Sequence, residues 1–240
     1  MNDCFIFSGQ GSHRPGMGLQ LYKYSTLAKG KIDLSNQILG YNISDIMFSD
    51  DESILRQTNH AQVAIYIYSC IIFDIIKDID HMPVVVAGHS LGEFSALYAN
   101  NTYTFETGLQ IVNVRAKAMH RCEKNTEGKM SAVIGISKEK ISDICKGTDT
   151  QVANINSDQQ IVISGSAESI ELVAEELKAN GAKRIITFPV SGAFHSKLMS
   201  NAKPELKEVI SNATFNEPSN PIVSNYDATL RSNPHEIKKA

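Results

Sequence analysis

The sequence predicts an α/β fold in which a smaller β-α-β-β-α-β unit interrupts a larger body. Three observations carry that expectation. A short β-branched run, Pro83-Val84-Val85-Val86-Ala87, leads through Gly88-His89-Ser90-Leu91-Gly92 into Glu93-Phe94-Ser95-Ala96-Leu97-Tyr98-Ala99, which is free of Gly and Pro and helical in character. Between Met130 and Pro189, strand-like and helix-like segments alternate in a regular order. The composition, 42% hydrophobic and 20% charged over 240 residues, is that of an ordinary globular protein able to bury a sizeable core.

The elements follow in order. Asp3 to Phe7 reads as a strand that runs into the polar loop Ser8-Gly9-Gln10-Gly11-Ser12, and open α/β folds place ligands at such strand ends. Helical segments come next, with a break at Gly40-Tyr41-Asn42. Val63 to Ile76 is apolar but holds Ser69 and Asp74, and it falls short of the roughly 20 residues a bilayer span needs. It is expected to be a buried helix under the sheet. A further helix covers Phe105 to Glu123. Then Met130–Ile136 reads as a strand, Lys138–Cys145 as a helix, Thr150–Asn156 and Gln160–Ser164 as strands, Ala167–Asn180 as a helix and Lys183–Pro189 as a strand. That is the ferredoxin-like order. The expected division is residues 1–125 for the first part of the body, 126–190 for the inserted unit and 191–240 for the return, with a helix starting at Asn233-Pro234.

Bulk properties narrow the function. A formal charge of −3 and a pI near 6.2 give no electrostatic case for nucleic acid. Cys4, Cys70, Cys122 and Cys145 lie far apart with no C-x-x-C spacing, which fits a reducing cytoplasm. The start, Met1 to Phe7, lacks a basic region and is too short for a signal peptide, so a soluble cytoplasmic protein without membrane partners is expected.

Gly88-His89-Ser90-Leu91-Gly92 is a G-x-S-x-G pentapeptide between a strand and a helix, the setting of a nucleophile elbow. Glycines there permit a strained backbone and close packing. The turn lifts the Ser90 hydroxyl to a helix N-terminus, where free N–H groups stabilise an oxyanion. Ser90 then needs a base. His195, in Ser191-Gly192-Ala193-Phe194-His195-Ser196, directly follows an expected strand, where an elbow's partner should project. On spacing alone it reads equally well as a polar residue near a helix start. His89 should point away from Ser90, and His13, His60, His81, His120 and His235 have no comparable setting.

Arg115 is more telling. Its helical neighbours three and four residues away are Ile111, Val112, Ala118 and Met119, all apolar, so the guanidinium should lie on a buried face. A buried cation costs several kcal/mol unless an anion meets it. The anion is either a distant acid of the chain or a carboxylate on the substrate, gripped bidentately; snorkelling to solvent is the third possibility. A hydrolase triad would want an acid at a strand end between Ser90 and His195, but Asp143, Asp149 and Asp158 all fall in the inserted unit. A dyad suits acyl transfer better than rapid hydrolysis.

Taken together, these residues resemble the malonyl-CoA:acyl carrier protein transacylases and the acyltransferases of polyketide synthases. The likeness rests on Phe7-Ser8-Gly9-Gln10-Gly11-Ser12, Gly88-His89-Ser90-Leu91-Gly92-Glu93, Val112-Asn113-Val114-Arg115 and Gly192-Ala193-Phe194-His195-Ser196, in the family's order and across nearly the whole chain. It implies an α/β-hydrolase-like body with a ferredoxin-like insertion. It implies Ser90 as nucleophile, His195 as general base and then acid, and the N–H groups of Gln10 and Leu91 as the oxyanion hole. Arg115 would hold a malonyl carboxylate. Phe194 would disfavour α-methylated units, a discrimination of about 1–3 kcal/mol. The reaction implied is ping-pong: malonyl-CoA loads Ser90, and the phosphopantetheine thiol of an acyl carrier protein takes the group. The coenzyme A thioester is substrate, and no metal or bound redox cofactor is implied.

Phe105-Glu106-Thr107-Gly108-Leu109, Asn154-Ile155-Asn156-Ser157, Gln160-Ile161-Val162-Ile163-Ser164-Gly165 and the segment Val190 to Ser196 are similar to free-standing enzymes that serve polyketide synthases in trans. Fatty-acid and polyketide synthesis both stay open. Ser8 stands where the family has Pro, His13 for Gln, Val63 for Pro and Ala116 for Gly. The resemblance also implies a Gln-bearing segment, a strand and helices beyond Ala240, so the chain reads as truncated. Two other readings remain: an editing hydrolase of acyl carrier proteins, against which Arg115 argues, and an inactive relative that only docks a carrier protein. A plain serine esterase has no use for Arg115.

Overall fold

A computed structural model describes residues 3–79, 81–188 and 192–240. Strand β1 (Cys4–Phe7) is followed by α1 (Leu19–Tyr24), α2 (Thr26–Leu39), α3 (Ile43–Phe48), α4 (Glu52–Leu55) and the long α5 (Thr58–Asp78). Next come β2 (Val85–Gly88), α6 (Gly92–Ala99) and α7 (Phe105–Lys124). The middle of the chain holds β3 (Gly128–Ile134), α8 (Lys138–Cys145), β4 (Gln151–Ser157), β5 (Gln160–Ser166), α9 (Ala167–Ala179) and β6 (Arg184–Thr187). A 3₁₀ turn (Lys197–Ala202), α10 (Lys203–Asn212), β7 (Ile222–Val223), β8 (Leu230–Arg231) and α11 (Pro234–Lys239) complete it. The chain divides into two compact units, one made of Met1–Lys117 with Glu205–Ala240 and the other of Ala118–Pro204.

In the first unit the strand order is β1-β2-β7-β8. β1 and β7 both run parallel to β2, with Phe7 level with Gly88 and Val223 level with Ala87, while β8 is antiparallel to β7. The expected break after residue 39 is a helix end: Gly40 adopts a left-handed φ of 74° and caps α2. Helix α5 extends beyond the expected Val63–Ile76, because Thr58 and Gln62 are buried along with the apolar residues. By length and composition α5 could cross a membrane, yet Val63, Tyr66, Ile67, Cys70 and Ile71 pack against Ile32, Ile43, Met47 and Leu109 in the core. Its Phe73 joins Phe7 and Val86 of the sheet, which is the expected position beneath it. One polar network ties three helices. Lys31 pairs with Asp74 at 2.7 Å and donates to the Tyr98 hydroxyl, which in turn donates to Asp74.

The second unit holds a four-stranded sheet of order β4-β5-β3-β6 with antiparallel neighbours throughout. Its side chains alternate with the pleat. Val133, Ile161 and Ile163 face Ile141 of α8 and Ile170, Val173 and Leu177 of α9. Met130, Ala132 and Val162 face the other way, onto Ala118, Met119, Cys122, Phe194, Met199 and Ala202. That second face explains why the unit runs from 118 to 204 rather than 126 to 190. The end of α7 and the segment after Gly192 supply the apolar cover that two helices give the first face. β3 begins and ends two residues before the expected span, since Gly135, at φ 83°, turns the chain and donates to the Gln159 carbonyl. The expected strand end at Pro189 and return near Val190 and Ser191 lie outside the described residues.

Close approaches decide where side chains are forbidden. A Cβ on Gly92 would lie 2.1 Å from the Phe7 carbonyl oxygen, and one on Gly88 2.0 Å from the Gly92 carbonyl carbon. Both obstacles are backbone. Gly30, inside α2, meets nothing within 4 Å. We therefore expect Gly92→Ala to destabilise the fold by about 2–3 kcal/mol or prevent soluble expression. Gly30→Ala should stabilise it by about 0.5–1 kcal/mol. Urea unfolding of both variants checks the contrast.

Candidate active site

Three parallel strands end at one level, and each hands the chain to a residue of the site. After β1 come Ser8, Gly9 and Gln10; after β2, His89 and Ser90; after β7, Ser224 and Asn225. The crevice beyond the carboxyl ends of such strands is where open α/β sheets bind ligands. The β1 and β2 loops are locked together: His89 donates its N–H to the Phe7 carbonyl, and a Cβ on Gly9 would lie 2.3 Å from the His89 carbonyl oxygen and 2.9 Å from its Nδ1. The His89 ring therefore lies towards Gly9.

Ser90 carries the strain that an elbow implies. Its φ is 51°, in the left-handed region that L residues seldom occupy. Gly92, Glu93 and Phe94 donate their N–H groups to the carbonyls of His89, Ser90 and Leu91, which starts α6 immediately after the turn. Leu91 is fully buried, and the Gln10 side chain is held by a 3.2 Å bond from its Nε2 to the Thr58 hydroxyl. Among the described residues, no hydrogen-bond partner takes the backbone N–H of Gln10 or of Leu91. A helix N-terminus with open donors is suited to a developing oxyanion.

Arg115 lies where its periodicity put it, with only 8% of its surface exposed. Nη2 donates to Ser90 Oγ at 3.2 Å, Nη1 donates to Gln62 Oε1, and the guanidinium sits 5.5 Å from the Phe94 ring centroid. These partners are neutral. Desolvation lowers the Arg115 pKa to about 10, and the field of Glu93 opposes that shift. The guanidinium stays charged at neutral pH, so a cation is kept dry beside the Ser90 hydroxyl with no anion in contact among the described residues. Glu93 is held by Asn225 instead, which donates Nδ2 to Oε2 at 2.8 Å and its backbone N–H to Oε1 at 3.2 Å. Burial raises the Glu93 pKa above the usual carboxylate range.

His195 and Phe194 belong to the second unit. Phe194 is buried with Met130, Val162 and Met199, its ring close over Gly192. His195 is exposed and, like Ser90, has a left-handed φ, here 60°. Ser196 anchors the loop, accepting from the Leu198 N–H and donating to the Ala193 carbonyl. Two residues in the first unit escaped the sequence reading. Gln62 sits one position before the apolar run, and a polar residue in helical register with that run was the signal it offered. Asn225 offered only its place after a short apolar pair.

Residues 4–238 match the acyl transferase domain family. A malonyl CoA-acyl carrier protein transacylase of Bacillus subtilis is 37% identical over 241 residues, covering 98% of this chain and 76% of that one. The chain belongs to the malonyl CoA-acyl carrier protein transacylase family of acyl transferases. A polyketide biosynthesis malonyl CoA-acyl carrier protein transacylase from the same organism is also 37% identical, over 226 residues, 92% of this chain and 76% of the relative. The crystal structure of the Synechocystis malonyl-CoA:ACP transacylase covers this chain completely at TM-score 0.90 and 34% identity, using 79% of its own length. A malonyl-transacylase solved in complex with its type II polyketide acyl-carrier protein matches at TM-score 0.93 and 29% identity, over 100% of this chain and 79% of that one. The α/β fold of this acyl transferase is thus that of solved transacylases.

An uncompensated buried charge is a cost to the folded state of this acyl transferase. Arg115→Met, similar in length and apolar, should leave the unfolding free energy unchanged or raise it by up to about 2 kcal/mol. Equilibrium urea denaturation measures this, and a clear loss of stability would show that Arg115 serves the fold.

Proposed function

We propose that this chain moves a malonyl group from coenzyme A to the phosphopantetheine thiol of an acyl carrier protein by a ping-pong mechanism. The observation that carries the reading is Arg115: a dry guanidinium, with only neutral partners among the described residues, that donates to the oxygen of the elbow serine. Such a cation lowers the energy of an anion brought to it, and a carboxylate next to the acyl carbon fits the guanidinium's planar fork. An enzyme for uncharged acyl groups gains nothing from it, which disfavours the editing hydrolase and the plain esterase.

In this mechanism His195 takes the Ser90 proton as Oγ attacks the thioester carbonyl. The N–H groups of Gln10 and Leu91 receive the oxyanion. Collapse breaks the carbon–sulfur bond, and the proton on His195 leaves with the coenzyme A thiol. The carrier's thiol then gives its proton to His195 and attacks the Ser90 ester. The second tetrahedral intermediate returns the malonyl group as a thioester and the proton to Ser90. Phe194 limits the space beside the malonyl α-carbon.

The same reading treats the first unit as an α/β-hydrolase-like body and the second as a ferredoxin-like insertion, and the order β4-β5-β3-β6 supports the latter. The site of action is the cytoplasm, where malonyl-CoA and carrier proteins meet. The two Bacillus relatives are equally similar, so fatty-acid and polyketide supply rank alike.

Intact-protein mass spectrometry tests this directly. Malonyl-CoA should leave one malonyl adduct, which moves to an added phosphopantetheinylated carrier protein. Ser90→Ala should abolish it, and an adduct at any other residue refutes the assignment. Arg115→Ala should slow malonyl loading by about 10²-fold while changing acetyl loading by under about threefold. Equal losses for both donors would remove the carboxylate from the argument.

A further inference from the structure

We propose that Asn225 is a positioning residue for the elbow. Its carboxamide stands in for a neighbouring strand, holds the Ser90 turn in its left-handed conformation, and thereby aims the Ser90 hydroxyl and the Leu91 N–H. This rests on the reading of Ser90 as nucleophile. The β2–β7 ladder ends at Ala87 and Val223, just before the elbow. In a parallel ladder one residue donates to the carbonyl of position j−1 on its neighbour and accepts from the N–H of position j+1. The Asn225 side chain does both around His89. Nδ2 donates to the Gly88 carbonyl at 2.7 Å, and Oδ1 accepts from the Ser90 N–H at 3.0 Å. A real strand would force the turn flat, whereas a side-chain amide supplies the same two bonds and lets the backbone fold into α6.

Something must over-determine this conformation, because the left-handed region is sterically unfavourable for a serine. Asn225 is itself oriented from α6. Glu93, in the first turn of that helix, accepts from both Nδ2 and the backbone N–H of Asn225. Two acceptors, Gly88 and Glu93, fix the amino end and one donor, Ser90, fixes the oxygen, so the amide has one satisfied orientation. Strand end, nucleophile and helix start are thus pinned by one side chain from a third strand.

Asn225 lies at the exposed rim of the site. Water can replace its bonds when it is removed, so its loss should cost little stability and much aim. Single-turnover loading by malonyl-CoA, followed by intact mass on the full chain, separates the rate at saturation from the half-saturating concentration. Asn225→Ala should lower the saturated rate by about 10²-fold, with the half-saturating concentration within about threefold and the unfolding midpoint nearly unchanged. Asn225→Asp sets two carboxylates face to face and should also be slow. Adding Glu93→Gln restores a donor opposite the new acid and should recover at least about tenfold in rate.

Loading by Asn225→Ala at the unaltered rate overturns the proposal, as does a loss confined to the half-saturating concentration. Should Asn225→Ala fail to fold, the comparison of Asn225→Asp with Asn225→Asp/Glu93→Gln decides, and equal rates for those two overturn it. Ser90→Ala is the control for the underlying reading. An adduct that survives it removes the nucleophile and the clamp together. Its absence, with Asn225→Ala loading normally, removes the clamp alone.

Discussion

A charged guanidinium that is 8% exposed and has only neutral groups in contact among the described residues is an expensive thing for a folded chain to keep. Much of the first unit is arranged around that cost. Gln62 supplies an oxygen from the buried face of α5, Phe94 supplies the face of a ring, and Ser90 supplies its hydroxyl. None of these neutralises the charge. Glu93 contributes its field from a distance while its own oxygens are held by Asn225. On the proposed function, the partner that satisfies Arg115 is the carboxylate of the incoming acyl group. In that reading, energy withheld from the empty protein becomes available when the carboxylate arrives, and the cation is kept for substrate rather than for the fold.

The sheet makes that arrangement possible. β1, β2 and β7 run the same way, so the loops carrying Gln10, Ser90 and Asn225 leave from one end. The two elbow glycines let α6 start against the Phe7 carbonyl, with no room for a methyl group. A one-carbon change there would move the helix start, and with it the Leu91 N–H that the proposed mechanism gives to the oxyanion.

Much of this was legible in the sequence, for identifiable reasons. The elbow was readable because its strand, turn and helix are contiguous, and Arg115 because helical periodicity turns four apolar neighbours into a statement about burial. The alternation of the second unit's strands was readable for a similar local reason. The reading failed where partners are distant in sequence. Asn225 lies 135 positions from Ser90, beyond any local pattern. Gln62 reaches Arg115 across 53 positions and stood at the unread edge of an apolar run. The compact second unit reaches beyond the alternating strands and helices because cover for one sheet face comes from α7 and the segment after Gly192, which flank the strands rather than alternate with them.

Ser90 and His195, the residues to which the proposed mechanism gives the proton transfer, both have a left-handed φ without being glycine. In each case the surroundings answer the strain. Ser90 has the Asn225 amide and the first turn of α6; the loop of His195 has Ser196 closing a tight turn and Phe194 buried in its unit's core. Strained backbone persists where surrounding structure over-determines it, and it aims a side chain in a direction relaxed conformations do not reach. A glycine would relieve the strain at either position and remove the functional group with it. In the proposed mechanism the conformational cost and the chemistry are thus carried by the same residues, and the contacts that hold those residues in place must be counted with the site.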